Sequence, residues 1–296
     1  MWTWKERHQI HDEEWNAYLS ASLNPCVEYL SWYLDTCAVN WGCFVHQKKS
    51  MRLPVAWTKK AGLIPAVTRP PYLQKIRIIG NELPDVEDTL TLYQCIRQHF
   101  RCDTLDWEYH LPDSRIRMNY ILERSHYRLN QSHTRHLKKS MQNPLTYRMS
   151  EDPEELLYWL DHNGERYVYE KDFRNDKFRS LVRTLLKHQQ AFVLFAVNAM
   201  DEIQSAGIFT RGFGRLLFFL SFTTAAGRKN GSMVGILNHV VYEIMQPYEI
   251  LDLEGSDIPG VALFYEGFNA QKEPYFELQW SKHLLCKVAE FVKRMR

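Results

Sequence analysis

The chain has 296 residues, 45% of them apolar and 14% aromatic, a length comfortable for two domains and a composition that excludes intrinsic disorder. Its 37 basic and 35 acidic side chains leave a formal net charge of +2, so no global field points to a polyanionic partner such as DNA. No apolar run reaches the roughly 20 residues that span a bilayer, and the segment Met1-Trp-Thr-Trp-Lys-Glu-Arg-His-Gln9 lacks the apolar core of a signal peptide.

Residues 11–23 place Trp15, Tyr18, Leu19 and Leu23 on one face of a short amphipathic helix. Tyr29 to Val45 reads as a further apolar element in helical or strand register. Arg52–Trp57 and Ala66–Tyr72 read as short strands, with Pro54, Pro70 and Pro71 arguing for edges or breaks. Pro84-Asp-Val-Glu-Asp opens a helix, acidic at its start and striped by Leu90, Tyr93 and Ile96, and Asp103–Tyr109 reads as the strand after it. Between Arg115 and Lys139 seven Lys/Arg stand against one acid, Glu123. Met118, Ile121, Leu122, Leu129 and Leu137 fit one face, which predicts a long basic helix dividing the chain into 1–114 and 115–296.

In the second half Glu151–Leu160 and Phe178–His188 read as helices and Ala191–Val197 as a buried strand. Two apolar runs, Ala206–Thr210 and Leu216–Phe222, flank the turn Arg211-Gly-Phe-Gly214. A polar Gly-bearing loop follows at 226–232, then a helix to about Met245, a strand at Glu249–Glu254, a helix at 260–268 and a strand at Pro274–Leu278. Ser281–Met295 has the stripe of a terminal docking helix. The class is α/β or α+β, with a mixed sheet in each half. Cys26, Cys37, Cys43, Cys95, Cys102 and Cys286 form no CxxC pair, so free thiols in a reducing, cytoplasmic setting are expected rather than disulfides or a zinc site.

Several groups are suited to chemistry. The segment Gly227-Arg-Lys-Asn-Gly-Ser232 precedes a helix, where backbone N–H groups and the dipole attract phosphate, and Arg228 and Lys229 add charge; the alternative is an ordinary polar turn. Asp252 and Glu254 alternate with Leu251 and Leu253, which points both carboxylates to one face as candidate general bases or as a solvated surface. Tyr265 and Tyr275 are candidate proton donors or packed rings. The basic stretch is a solvated face, a phosphate surface or a lipid contact, and the pair His133 and His136 lacks a third metal ligand, so it reads as solvated. Arg69-Pro-Pro-Tyr-Leu-Gln74 lines a substrate cleft or turns the chain. There is no G-x-S-x-G, GxxxxGK[ST], GxGxxG or HExxH motif.

Taken in order, these elements resemble the Fem-type branch of the GNAT superfamily. The resemblance rests on Ser31-Trp-Tyr-Leu-Asp35 with Trp41, Leu53-Pro54 with Lys60 and Gly62, and Pro70-Pro-Tyr-Leu-Gln74. Further along it rests on Arg117-x-Asn-Tyr120, Arg135–Lys139, Ala206-Gly207, Gly227-Arg228, Leu251–Gly255, Pro259-Gly260 and Gly267-Phe268. It implies a tandem GNAT-like fold in which an N-acyltransferase moves an acyl group from an acyl-CoA-type thioester, acetyl-CoA included, to the amine of a small molecule or peptide. The carrier would lie at Gly227, Arg228, Lys229, Asn230, Gly231 and Ser232, with Asp252, Glu254 and Tyr265 as the catalytic candidates and no metal. Alternatives are aminoacyl transfer from tRNA and a non-catalytic binding scaffold. Met233 stands where the carrier motif ends in a small residue, and Leu263 where a Tyr is usual. Tyr265-Glu266 stands where tRNA-using members carry lysines, which disfavours tRNA.

Overall fold

A computed structural model describes residues 1–60, 62–163, 175–255 and 258–281. The chain divides into two compact units, 1–117 with 274–296, and 118–273. Cys286 and, from 282 on, the terminal helix expected over 281–295 lie outside the described residues.

In the first unit β1 (Trp2–Glu6), β2 (Asn40–His46) and β3 (Met51–Lys60) are antiparallel neighbours. β4 (Ile64–Val67) continues antiparallel from β3, while β6 (Cys102–Trp107) joins β4 in parallel. Two-residue β5 (Ile79–Gly80) pairs with the start of β3. Pro54, expected at an edge or break, sits inside β3. It is tolerated because β4 meets β3 only at Trp57–Lys60 and β5 only at Met51–Arg52, leaving the stretch around Pro54 without a ladder on that side. Trp15 and Leu19 of α1 (Asp12–Ser20) and Tyr33 and Leu34 of α2 (Ser31–Cys37) are buried. α3 (Val86–His99) starts two residues after Pro84, which stands outside the helix. Asp85 caps it by accepting from Asp88 N–H, and Asp88 returns the bond in a capping box.

In the second unit the strands form one continuous run. β8 (Thr146–Ser150), β9 (Ala191–Val197), β10 (Ile203–Gly212) and β11 (Arg215–Thr223) form an antiparallel run. β12 (Ile250–Asp252) adds in parallel to β11, and β7 (Arg115–Glu123) pairs antiparallel with β12. Phe213 and Gly214, with φ of 54° and 73°, form the two-residue turn between β10 and β11, as a right-twisted hairpin requires. Stacked Phe192, Phe209 and Phe218 run across three strands, under Val234, Ile236, Leu237, Val240 and Val241. Those five residues belong to α8 (Ser232–His239) and the π-turn Val240–Ile244 that extends it. α5 (Pro153–Asn163) and α6 (Asp176–Lys187) complete the fold, the latter burying Phe178, Leu181, Val182, Leu185 and Leu186.

The long basic helix expected over 115–139 is a correction. Arg115–Glu123 is strand β7, and only Gln131–Gln142 is helical, as α4, begun by Asn130 accepting from His133 N–H. Met118, Ile121 and Leu122 fit a helical spacing, but Tyr120 and Leu122 are the buried pair, two residues apart as on a strand. Pro274–Leu278 belongs to the longer β13 (Gln271–Ser281), whose residues from Phe276 pair with β6 in the first unit. Cys26, Cys37 and Cys43 are free and buried, and burial pushes the Cys43 thiol up to about 12.

Candidate functional site

Parallel strands β11 and β12 pair only over Arg215–Leu217 and Ile250–Asp252. Among the described residues no pairing continues on that side of β11 past Leu217, so the two strands part at the Leu217–Asp252 pair. The register against β10 also slips between Ile208 and Phe209, which leaves Phe219 as the extra residue of a bulge on β11. Bulges bend and twist a strand, which moves β11 further from its neighbour. Among the described residues no strand lies along this side of β11 beyond the fork, an edge of the kind to which an extended ligand can add.

Four polar residues gather at the vertex, from four strands of the second unit. Asp252 is buried, and Arg215 donates to its Oδ2. Its Oδ1 accepts from Asn119 Nδ2 at 3.0 Å and from the Glu254 N–H at 2.9 Å. Asn119 is fully buried, and its Nδ2 also reaches Glu273 Oε2 at 3.0 Å. Glu273 Oε1 lies 3.7 Å from Arg215, and this side chain is 32% exposed. Asp252 is therefore held on both oxygens by this chain's own donors. Glu254 does not share its strand face as the alternation suggested: the strand ends at Asp252, and Glu254 takes a left-handed φ of 59°. Its carbonyl accepts from Tyr120 N–H. The Tyr120 ring lies 5.6 Å from that of Tyr265, half-buried on α9 (Pro259–Glu266).

The segment expected to be a phosphate loop is mostly helix. α7 (Ala225–Asn230) is capped by Thr224, whose Oγ1 accepts from Gly227 N–H at 2.9 Å, and Gly231 turns the chain into α8 at a φ of 77°. Arg228 N–H bonds the Thr224 carbonyl and Ser232 N–H bonds Asn230 Oδ1. Gly227 is a packing glycine, since a Cβ there would run into the Gln204 carbonyl, and Ser232 Oγ meets Ser205 Oγ at 2.5 Å. The backbone donors read from the sequence as a phosphate cradle are thus largely engaged within the unit. Arg228 and Lys229 are exposed. Lys229 and Asn230 line an open cleft of about 650 Å³ together with Lys139, Gln142, Asn143, Asn198 and Met200. Two lysines and four side-chain amides, with no carboxylate among the described lining residues, suit an anionic group there.

Other candidates resolve as packing. His133 is buried rather than solvated, with Nε2 2.9 Å from the Phe264 carbonyl and its ring edge-on to Phe268. Burial lowers its pKa, chiefly by desolvating the charged form. Tyr275 is buried in the first unit beside Arg117 and Lys75. Arg69 turns onto Asp106 at 2.8 Å, and burial raises the Asp106 carboxyl above its ordinary range. Among the described residues no three His, Cys, Asp or Glu side chains gather as a metal site, and no helix is long and apolar enough to cross a membrane. Arg215 and Glu273 escaped sequence reasoning, Asn119 was present only inside the resemblance string Arg117-x-Asn-Tyr120, and Lys139 stood in the basic run that offered a phosphate surface as one of its readings.

No family model and no curated protein sequence matches this chain. Solved structures do. A conserved protein of unknown function from Bacteroides thetaiotaomicron aligns at a TM-score of 0.62 and 14% identity, over 95% of this chain and 100% of that one. L-PGS from Bacillus licheniformis aligns at 0.60 and 14%, over 96% of each chain. FemX aligns at 0.59 and 9%, over 97% of this chain and 99% of its own. At such identities the likeness speaks for architecture, and both units take part in it. The chain has the fold of FemX and L-PGS, the Fem-type architecture expected from the sequence.

Proposed function

We propose that this protein is an acyltransferase that moves an acyl group from an activated carrier, an acyl-CoA-type thioester, to an amine. The observation that carries the reading is the fork between β11 and β12 with the bulge at Phe219. An extended carrier arm can add to the free edge of β11 as a further strand would, which aims its acyl end at the vertex. The cleft at Lys139, Lys229 and Asn230 supplies cationic and amide donors for the carrier's anionic end. Tyr265, whose ring lies beside that of Tyr120, is the proposed proton donor to the departing thiolate.

A ligand that binds only the folded state raises the melting temperature. Titration with acetyl-CoA, longer acyl-CoAs and free CoA should therefore shift the transition upward, with turnover on an amine panel for the acyl donor that binds best. No shift with any of the three would overturn the thioester reading. One feature favours a second donor class: exposed Arg135, Lys138 and Lys139 on α4 stand next to the cleft. Aminoacyl-tRNA binding that weakens steeply with salt, without any CoA shift, would select that donor.

A further inference from the structure

The string Ser31-Trp-Tyr-Leu-Asp35 with Trp41 has no part in the proposed transfer, yet it is firmly built into the first unit. Asp35 Oδ1, near the end of α2, accepts from Trp41 Nε1 at 2.7 Å and from Arg7 Nε at 2.8 Å, and its Oδ2 accepts from Arg7 Nη2 at 2.7 Å. Arg7 also donates to Asp12 at 2.6 Å and to the Ile10 carbonyl at 2.9 Å, and its guanidinium lies over the Trp41 ring, 5.0 Å from the centroid. Beside these bonds lies a cavity of about 540 Å³, the size of a small-molecule site. Its polar lining includes Glu6, Asp35 and Asn40, and its apolar lining includes Ala38, exposed Val39 and half-buried Trp57. Phe100 supports the Trp57 ring, with centroids 6.3 Å apart.

The charges around this cavity do not balance. Glu6, Asp12 and Asp35 are three carboxylates against the one guanidinium of Arg7, which is already shared between the two aspartates. Glu6 Oε1 accepts from Trp4 Nε1 at 2.8 Å, and no lysine or arginine pairs with Glu6 among the described residues. His8, the other lining residue able to take up a proton, is exposed. Among the described residues no three His, Cys, Asp or Glu side chains gather to hold a metal ion, and a bare ion has no use for an indole and two alkyl side chains. A cation that carries alkyl groups uses both linings: carboxylates attract its charge, and indole is the aromatic ring that attracts such a group best. We propose that this cavity binds an organic ammonium, with its charge toward Glu6 and Asp35 and its alkyl groups against Trp57, Ala38 and Val39. The site is independent of the acyltransferase reading, because its ligand is held by charge and contact and undergoes no reaction.

Calorimetric titration of the full chain with choline and with butylamine, at about pH 8 so that His8 stays neutral, tests the site. The control is 3,3-dimethylbutan-1-ol, the uncharged isostere of choline. At least one of the two cations should bind saturably, and the isostere should bind about tenfold more weakly than choline or not at all. Glu6→Gln and Trp57→Leu should each weaken the cation about three- to fivefold, the scale of one ion contact or one cation–π contact at a partly exposed site. Glu87→Gln, which removes a first-turn carboxylate of α3 that does not line the cavity, should leave binding unchanged. Melting curves show which variants fold, and Glu6→Gln carries the test alone if Trp57→Leu does not. No saturable binding of either cation, equal binding of the isostere, or undiminished binding in Glu6→Gln would overturn the proposal. Acyl-CoA titration is read with a different ligand, so either reading can fail while the other stands.

Discussion

Gly267 closes α9 in a helical conformation, φ −60° and ψ −19°, that alanine adopts freely, so Gly267→Ala isolates a steric effect. A Cβ built there meets His133 Cε1 and Nε2 at 2.5 Å and Cδ2 at 2.8 Å. The ring has little room to yield. Its Nε2 bonds the Phe264 carbonyl at 2.9 Å, and Phe264 and Phe268 stand against it with centroids at 5.0 and 4.4 Å. Alanine in place of helical glycine should stabilise by up to about 1 kcal/mol. Forcing a methyl into a packed site costs about 1–3 kcal/mol, and displacing the ring forfeits a bond worth about 1 kcal/mol. The balance is a destabilisation of about 2 kcal/mol, or roughly 4–8 °C in the melting temperature of a unit this size. Urea denaturation of wild type, Gly267→Ala, His133→Ala and the double variant forms the cycle that checks it. In the His133→Ala background the glycine substitution should become neutral or stabilising. Gly267→Ala as stable as wild type, or equally harmful without the ring, would refute the reasoning.

Arg215→Ala leaves the Asp252 carboxylate, 6% exposed, without its guanidinium, and should cost about 3 kcal/mol in urea denaturation, largely recovered when Asp252→Asn is added. Lys139→Glu with Lys229→Glu reverses the charge of the cleft and should weaken CoA binding about tenfold while flattening its salt dependence. His133 has its pKa lowered from 6.5 by burial, so below that pH the unfolded chain binds the additional proton. Stability should fall as pH drops through and below 6.5, and melting curves should show a shallower slope there in His133→Leu. Asp106 has the opposite sign. Its folded pKa is raised from 3.8, chiefly by desolvation, so its contribution is present below that pH and lost as pH rises through the folded value. Asp106→Asn should remove that part of the pH dependence.

Local periodicity made much of the second unit legible. Ala191–Val197 is buried along its whole length, and the two runs around Phe213-Gly214 can close only as a hairpin. Periodicity misled where a short apolar set fits two periods, as at Met118, Ile121 and Leu122, whose strand is fixed by the partner β12. Ala225–Asn230 looks like a loop because glycines and polar residues dominate it. Its helix depends on the Thr224 cap and on Gly227 seating against Gln204, a contact 23 residues away in sequence. Carboxylates at 252 and 254 were visible as chemistry, but their states depend on Arg215, Asn119 and Glu273, which only the fold assembles.

The first unit is discontinuous in sequence, because the second occupies 118–273 and the described part of the chain's return runs from 274 to 281. A ribosome making this chain therefore releases the whole second unit before Phe276–Ser281, the partners of β6, exist. Domains fold as units as they emerge, so the order is set by synthesis. The unit bearing the fork can fold while β6 still presents the edge that β13 will cover, and an unpaired strand edge is where chains join wrongly. Truncation just after 273, which leaves the second unit whole and β6 uncovered, should thus expose the first unit, rather than the second, to aggregation.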